Sequence, residues 1–280
     1  MKQEGQFILF SREEFNQWIE KQNIKRSIKI LQVHHTWKPS YDNFKGNNHF
    51  TMLKGMRNSH INNNGWSDIG QNLTIFPDGV ISLCRPLEVS PAGIKGANVN
   101  GICVEIIGNF DIGGDRMTEE QKKSTLYLFA VLAKKFNLNI NTDTIVYHHW
   151  YCTKNGVRIP DNKINTNNTT GYYPKSCPGS AFFGGNKVVD AQKSFIPLVQ
   201  EEYNKLLKKE IVETVMTTFS RYFNDVTKQW QASTIDAAVD KGIFAVGTDK
   251  KFRPDEPITR AEIAIVAERV INYVLNKVNK

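Results

Sequence analysis

Short apolar runs that stop at turn signals, alternating with one long helical stripe, limit the folds open to this chain more than any other feature. Ile28 to Val33 reads as a strand, and Leu73 to Phe76 as another that ends at Pro77-Asp78-Gly79. Val80 to Leu83 then reads as its hairpin partner. Ile102 to Ile107 is an apolar run closed by Gly108-Asn109, the length of a buried strand, and Ile145 to Tyr147 is a further candidate. Between them, Thr118-Glu119-Glu120-Gln121 has the form of a capping box, followed by Leu126, Phe129, Ala133 and Phe136 on one helical face. Strands that alternate with helices predict an α/β domain, a sheet covered by helices.

Composition removes several function classes. At 280 residues, with 40% hydrophobic and 23% charged residues, the chain has enough apolar material for a packed core. No apolar run approaches the ~18 residues of a membrane span, and Phe7 to Phe10 is far too short for the core of a signal peptide. The expectation is a protein without a membrane segment or leader, made in the cytoplasm. Its four cysteines, Cys84, Cys103, Cys152 and Cys177, form no C-x-x-C pair and read as thiols. The net charge of +8 suits any polyanion, but no basic stripe with interleaved aromatics accompanies it, so a nucleic-acid partner is not expected.

Residues 153 to 176 turn polar, dense in Asn, Thr, Gly and Lys; a loop that long in a compact domain points to function or disorder. Residues 187 to 217 read as helical. Beyond them the pattern changes, and Thr259 to Glu262 forms a second capping box ahead of Ile263, Val266, Val270 and Val274 at helical spacing. The expected organisation is an α/β domain over 1–200, a helical linker over 201–218 and a small helical C-terminal domain over 219–280.

Three places offer metal ligands: His34-His35 after the first strand, His148-His149 after a later one, and Cys177 beyond the polar loop. Neighbours on a strand point to opposite faces, so at most one His of each pair is expected to face a common site. Two imidazoles, one thiolate and an open position would make a catalytic zinc site. Glu105 lies in an otherwise apolar strand, which is costly unless it is paired or functional. His49 and His60 read as lining a surface loop, Cys84 and Cys103 as small core residues. Cys152 is a competing ligand near His148, without the prolines and lysine around Cys177. Trp37 and Trp66 suit either sugar stacking or core packing.

Val33-His34-His35-Thr36, Gly65-Trp66-Ser67-Asp68-Ile69-Gly70, Phe76-Pro77-Asp78-Gly79, Glu105 with Gly108-Asn109-Phe110, and Pro174-Lys175-Ser176-Cys177-Pro178 occur in that order. Together they resemble the zinc-dependent N-acetylmuramoyl-L-alanine amidases of the phage-lysozyme type, relatives of the peptidoglycan-recognition proteins. The resemblance spans roughly residues 28 to 200 and implies a central mixed sheet flanked by helices. It implies zinc held by His34, His148 and Cys177, Glu105 as general base, and Lys175 steadying the attacked carbonyl. The implied substrate is peptidoglycan, cut between N-acetylmuramic acid and L-alanine. Gln71 stands where phage members commonly carry tyrosine; with Trp66 and Trp37 it is expected to meet substrate, but an amide cannot exchange a proton. Residues 219 to about 275 resemble an S-layer homology repeat, which implies binding to an acidic secondary cell-wall polysaccharide through Arg260, Asp225 and Trp230. Such repeats usually act in threes, so homo-oligomerisation through this module is one expectation; weak binding by the single copy and packing on the catalytic domain are the others. A phage or prophage endolysin acting at the cell wall fits these features; a host autolysin or an inactive peptidoglycan-binding protein is the alternative.

Overall fold

A computed structural model describes residues 1–217 and 219–278, and side chains outside 210–217; residue 218, the end of the expected linker, lies outside the described residues. The chain divides into two compact units, Met1–Asn204 and Lys205–Lys280.

The first unit is built on a seven-stranded mixed sheet. Its strands are β1 (Lys2–Glu4), β2 (Phe7–Phe10), β3 (Ile30–His35), β4 (Leu73–Ile75), β5 (Ile81–Leu83), β6 (Gly101–Ile106) and β7 (Ile145–Tyr147), in the order β1-β2-β5-β4-β6-β3-β7. The half formed by β4, β6, β3 and β7 is parallel, and β5, β2 and β1 extend it antiparallel. The β4–β5 hairpin forms where the sequence predicts it. Gly79 sits at φ +84, donates to Phe76 O at 2.9 Å, and supplies the left-handed residue that ends a three-residue turn.

Register explains which face works. Gln32 pairs with Cys103, His34 with Glu105, and Thr74 with Glu105, so these five side chains share one face. The alternate residues Leu31, Val33, Leu73, Ile75, Val104 and Ile106 are fully buried on the opposite face. The sheet is therefore amphipathic inside the protein, with one layer of core and one layer of buried polar groups.

Helix α1 (Arg12–Glu20) starts at a Ser11–Glu14 capping box, and α2 (His49–Asn62) carries Met52, Leu53 and Met56 into the core. The segment expected as a polar loop around His49 and His60 is thus a helix. His49 is buried with its Nε2 2.8 Å from Asp78, and His60 Nδ1 accepts the Gly70 N–H, so polar partners replace apolar residues on the inner face. Helix α3 (Glu119–Lys135) begins as expected at Thr118, whose hydroxyl accepts the Gln121 N–H. The box is not reciprocal, because the Gln121 amide instead donates to Ile75 O and Ile107 O of the sheet. Residues 128–133 of α3 are buried all round, since α1 covers its outer side, whereas Leu126 and Phe136 of the expected face are only half-buried.

The polar stretch 153–176 is not featureless: α4 (Asp161–Asn165) buries Ile164, and Ile159 is fully buried beside it. The helix expected over 187–217 breaks at Ser194 into α5 (Val188–Lys193) and α6 (Phe195–Thr217).

The second unit has a small core of Phe223, Val226, Ala232 and Ile235, with α7 (Gln229–Asp240) and α8 (Arg260–Val278) as its main elements after α6. Asp236 is buried and accepts from Ser220 Oγ at 2.5 Å and Arg221 N at 2.9 Å. The Thr259–Glu262 capping box is present in both directions, at 3.2 and 2.8 Å. No residue of α8 is buried; Val266 and Tyr273 are half-buried, and Arg269 donates to Ile243 O at 3.1 Å. No helix among the described residues is long and apolar enough to cross a membrane.

Candidate metal centre

Three side chains remote in sequence converge where β3, β6 and β7 end. Ligand sites gather at the carboxyl ends of parallel strands because the loops there open the crevice. His34 is the fifth residue of β3, on its polar face, and His35 points to the other side. His148 comes just past β7, in a 3-10 turn spanning His148–Trp150, and Cys177 lies in the turn that closes the polar loop. His148 Nδ1 is 3.2 Å from His34 Nδ1, and Cys177 Sγ is 3.6 Å from the same nitrogen. A tetrahedral zinc with bonds of about 2.0–2.1 Å to nitrogen and about 2.3 Å to sulfur has N–N edges of ~3.3 Å and N–S edges of ~3.6 Å. The observed spacings match, so these residues fit the ion that the resemblance implies. A second triplet, His34, Cys103 and Glu105, also lies within 4.8 Å, but it shares His34 and offers one imidazole fewer.

Electrostatics suit a cation. Burial, then the positive charges of its neighbours, holds His34 well below the ordinary histidine range, and burial followed by Lys175 brings His148 to about 3. Both rings are therefore neutral and carry a free lone pair. Burial and then Glu105 push the Cys177 thiol well above its usual range, a cost that a divalent charge would offset. The His35 N–H donates to Cys177 Sγ at 3.4 Å, a contact that favours thiolate.

The second histidine of each pair holds the frame. His149 N–H donates to Cys177 O at 2.7 Å, and its ring Nδ1 contacts Lys175 O, pinning the segment on both sides of Ser176. His35 Nδ1 accepts the Phe110 N–H at 3.1 Å, consistent with a ring that burial lowers to about 4. Asp111 was not legible as a functional residue, yet its carboxylate accepts from Ser176 Oγ at 3.0 Å and Ser180 N at 2.8 Å, bracketing Cys177. Its only signal in the sequence is its place directly after Gly108-Asn109-Phe110.

A cleft of about 480 Å³ opens over the triplet, lined among others by Glu105, Lys175, Gln71, Trp37 and Trp66. Burial pushes the Glu105 carboxyl up to about 8, with the charge of Lys175 pulling the other way. Trp37 is 56% exposed and Trp66 36%, so both present ring surface to the cleft. Gln71 is buried; its Nε2 donates to Thr74 Oγ1 at 3.0 Å, and its Oε1 has no hydrogen-bond partner among the described residues. Cys152 is buried outside the triplet, and all four cysteines are free. In the second unit, Arg260 and Trp230 are exposed, whereas Asp225 accepts the Phe252 and Arg253 N–H groups, both at 2.8 Å.

Fold and site together define a mixed α/β domain with a His-His-Cys metal-type centre at the carboxyl ends of its strands. The family model for N-acetylmuramoyl-L-alanine amidase matches residues 24–180, more than half of the chain, and the chain belongs to that family. A second model, the S-layer homology domain, matches residues 222–264. The two matches indicate a protein directed at peptidoglycan and cell-wall polysaccharide. Among solved structures, the chain is similar to wild-type PGRP-LB from Drosophila, with 16% identity, 61% of this chain and 83% of that one covered, and a TM-score of 0.40. It is also similar to the N-acetylmuramoyl-L-alanine amidase LysC from Clostridium intestinale URNW, with 20% identity, 61% and 87% covered, and a TM-score of 0.39. No curated protein matches the chain.

Proposed function

We propose that this protein hydrolyses the amide joining the lactyl group of N-acetylmuramic acid to L-alanine of the stem peptide. The observation that carries the reading is the approach of His34 Nδ1, His148 Nδ1 and Cys177 Sγ at zinc-like spacing beneath a cleft, in a chain of the amidase family. Zinc held by these three supplies Lewis acidity, polarising the amide carbonyl and acidifying water. Glu105 takes the proton of the attacking water and delivers it to the leaving alanine nitrogen. Lys175 faces the negative charge that builds on the carbonyl oxygen. Trp37 and Trp66 offer ring faces to the sugar and peptide, and Gln71 lines the cleft beside them.

For the C-terminal unit we propose binding to an acidic wall polysaccharide, with exposed Arg260 and Trp230 as contacts; the role of Asp225 is to hold the 252–253 backbone. Self-association of this unit is supported by α8. Ile263, Ile271, Val274, Leu275 and Val278 are about half or more exposed along one side, at a spacing that suits packing against a like helix. An endolysin of phage or prophage origin is the setting that fits these parts.

Purified cell wall tests the chemistry. The protein should clear the suspension and release peptides with new L-alanine amino termini, and a chelator should stop both. Binding to wall without new amino termini would instead make it a recognition protein.

A further inference from the structure

Gln32 is fully buried on β3, two residues before His34 and on the same face of the sheet. Its amide orientation is fixed by two backbone groups of opposite character. The Ile94 N–H can only donate, and it meets Gln32 Oε1 at 3.0 Å. The Ala97 carbonyl can only accept, and it meets Gln32 Nε2 at 2.9 Å. A flipped amide would set donor against donor and acceptor against acceptor. The atom that faces His34 is therefore the oxygen, 3.4 Å from His34 Nε2. Because that oxygen accepts only, the proton of the neutral ring belongs on Nε2. The Nδ1 lone pair is then left facing His148 Nδ1 at 3.2 Å and Cys177 Sγ at 3.6 Å.

Two glycines enclose this amide. A Cβ on Gly93 would collide with Gln32 Oε1 and Cys103 Sγ, and one on Gly101 would collide with Ala97 O and press on Gln32 Nε2. Bare backbone at both positions is what the amide needs to lie flat against its partners.

We infer that Gln32 is a positioning residue: it fixes the Nε2–H tautomer of His34 and so directs the Nδ1 lone pair to the side where His148 and Cys177 converge. The inference rests on the reading of these three residues as the metal ligands, but the tautomer is a property of the protein itself. A group that orients a ligating imidazole in this way typically changes metal affinity by about 10–100-fold when removed.

The test is long-range proton–nitrogen NMR on the full chain with ¹⁵N-labelled histidine, together with zinc affinity by chelator competition. In the metal-free wild type the His34 signals should show Nε2 protonated and Nδ1 bare; a ring protonated at Nδ1 overturns the inference. Gln32→Leu should lose the fixed tautomer and bind zinc about 10–100-fold more weakly; unchanged tautomer and unchanged affinity would equally overturn it. If the variant does not fold, the wild-type spectrum still decides. Should the wild type bind no zinc yet show Nε2–H, the metal reading fails while the role of Gln32 stands.

Discussion

The two units spend their polar residues in opposite ways. In the first, a whole face of the sheet is given to the buried Gln32, His34, Thr74 and Cys103 with the half-buried Glu105, and the opposite face supplies the apolar core. In the second, the carboxylates are taken up by the unit's own framework: Asp236 by the Ser220 hydroxyl and the Arg221 N–H, Asp225 by the Phe252 and Arg253 N–H groups. Its apolar residues are what remain outside, along α8. Buried polarity that is not needed to hold the fold is a sign of chemistry, because each such group costs stability unless something uses it. Exposed apolarity on a helix is a sign of association.

Breaking the first half of this contrast gives the largest effect. Glu105→Gln should lower turnover on purified wall by about 10²–10⁴-fold while zinc stays bound, measured as rate and metal content on the same sample. The same substitution should raise stability in the metal-free protein. Glu105 is raised from its ordinary value of 4.5 to about 8, so the stability it permits is full below about 4.5 and is lost as pH rises through about 8. Thermal or urea unfolding should show the two proteins alike at low pH. At pH 9 the variant should be ahead by on the order of 1–2 kcal/mol, less than the full shift implies because the group borders the open cleft.

The second half breaks more gently. Asp225→Ala should destabilise the C-terminal unit by about 1 kcal/mol through loss of its bonds to the part-buried Phe252 N–H and the exposed Arg253 N–H, without moving the rate at the first unit. Unfolding followed by circular dichroism reports the one, amino-terminus release the other. Smallest in energy, Ile271→Asp should abolish any rise in mass with concentration seen by light scattering, with unchanged helix content; a monomeric wild type at every concentration would remove the association reading.

The sequence carries the candidate site better than its supports. His34, His148 and Cys177 are legible because their neighbours form recognisable runs, and period-two alternation already says that His34 and His35 diverge. Gln32 is not legible, since a glutamine in a strand has no signal until the register sets it beside Ile94 and Ala97. The same holds for Asp111, whose bonds reach residues 176 and 180. Helix α2 is obscured because His49 and His60 occupy inner positions and bond to polar partners there. The N-terminal hairpin is obscured because its β1 partner is polar and exposed, and Phe7 to Phe10 joins the sheet by pairing with β5, more than seventy residues away.

Metal content of the purified chain tests the central claim most directly. Wild type should retain one zinc per chain through dialysis, and His148→Ala and Cys177→Ser should each lose it while keeping the wild-type circular dichroism. Folded variants that hold zinc as tightly as wild type, or a wild type that takes up none, would contradict the account.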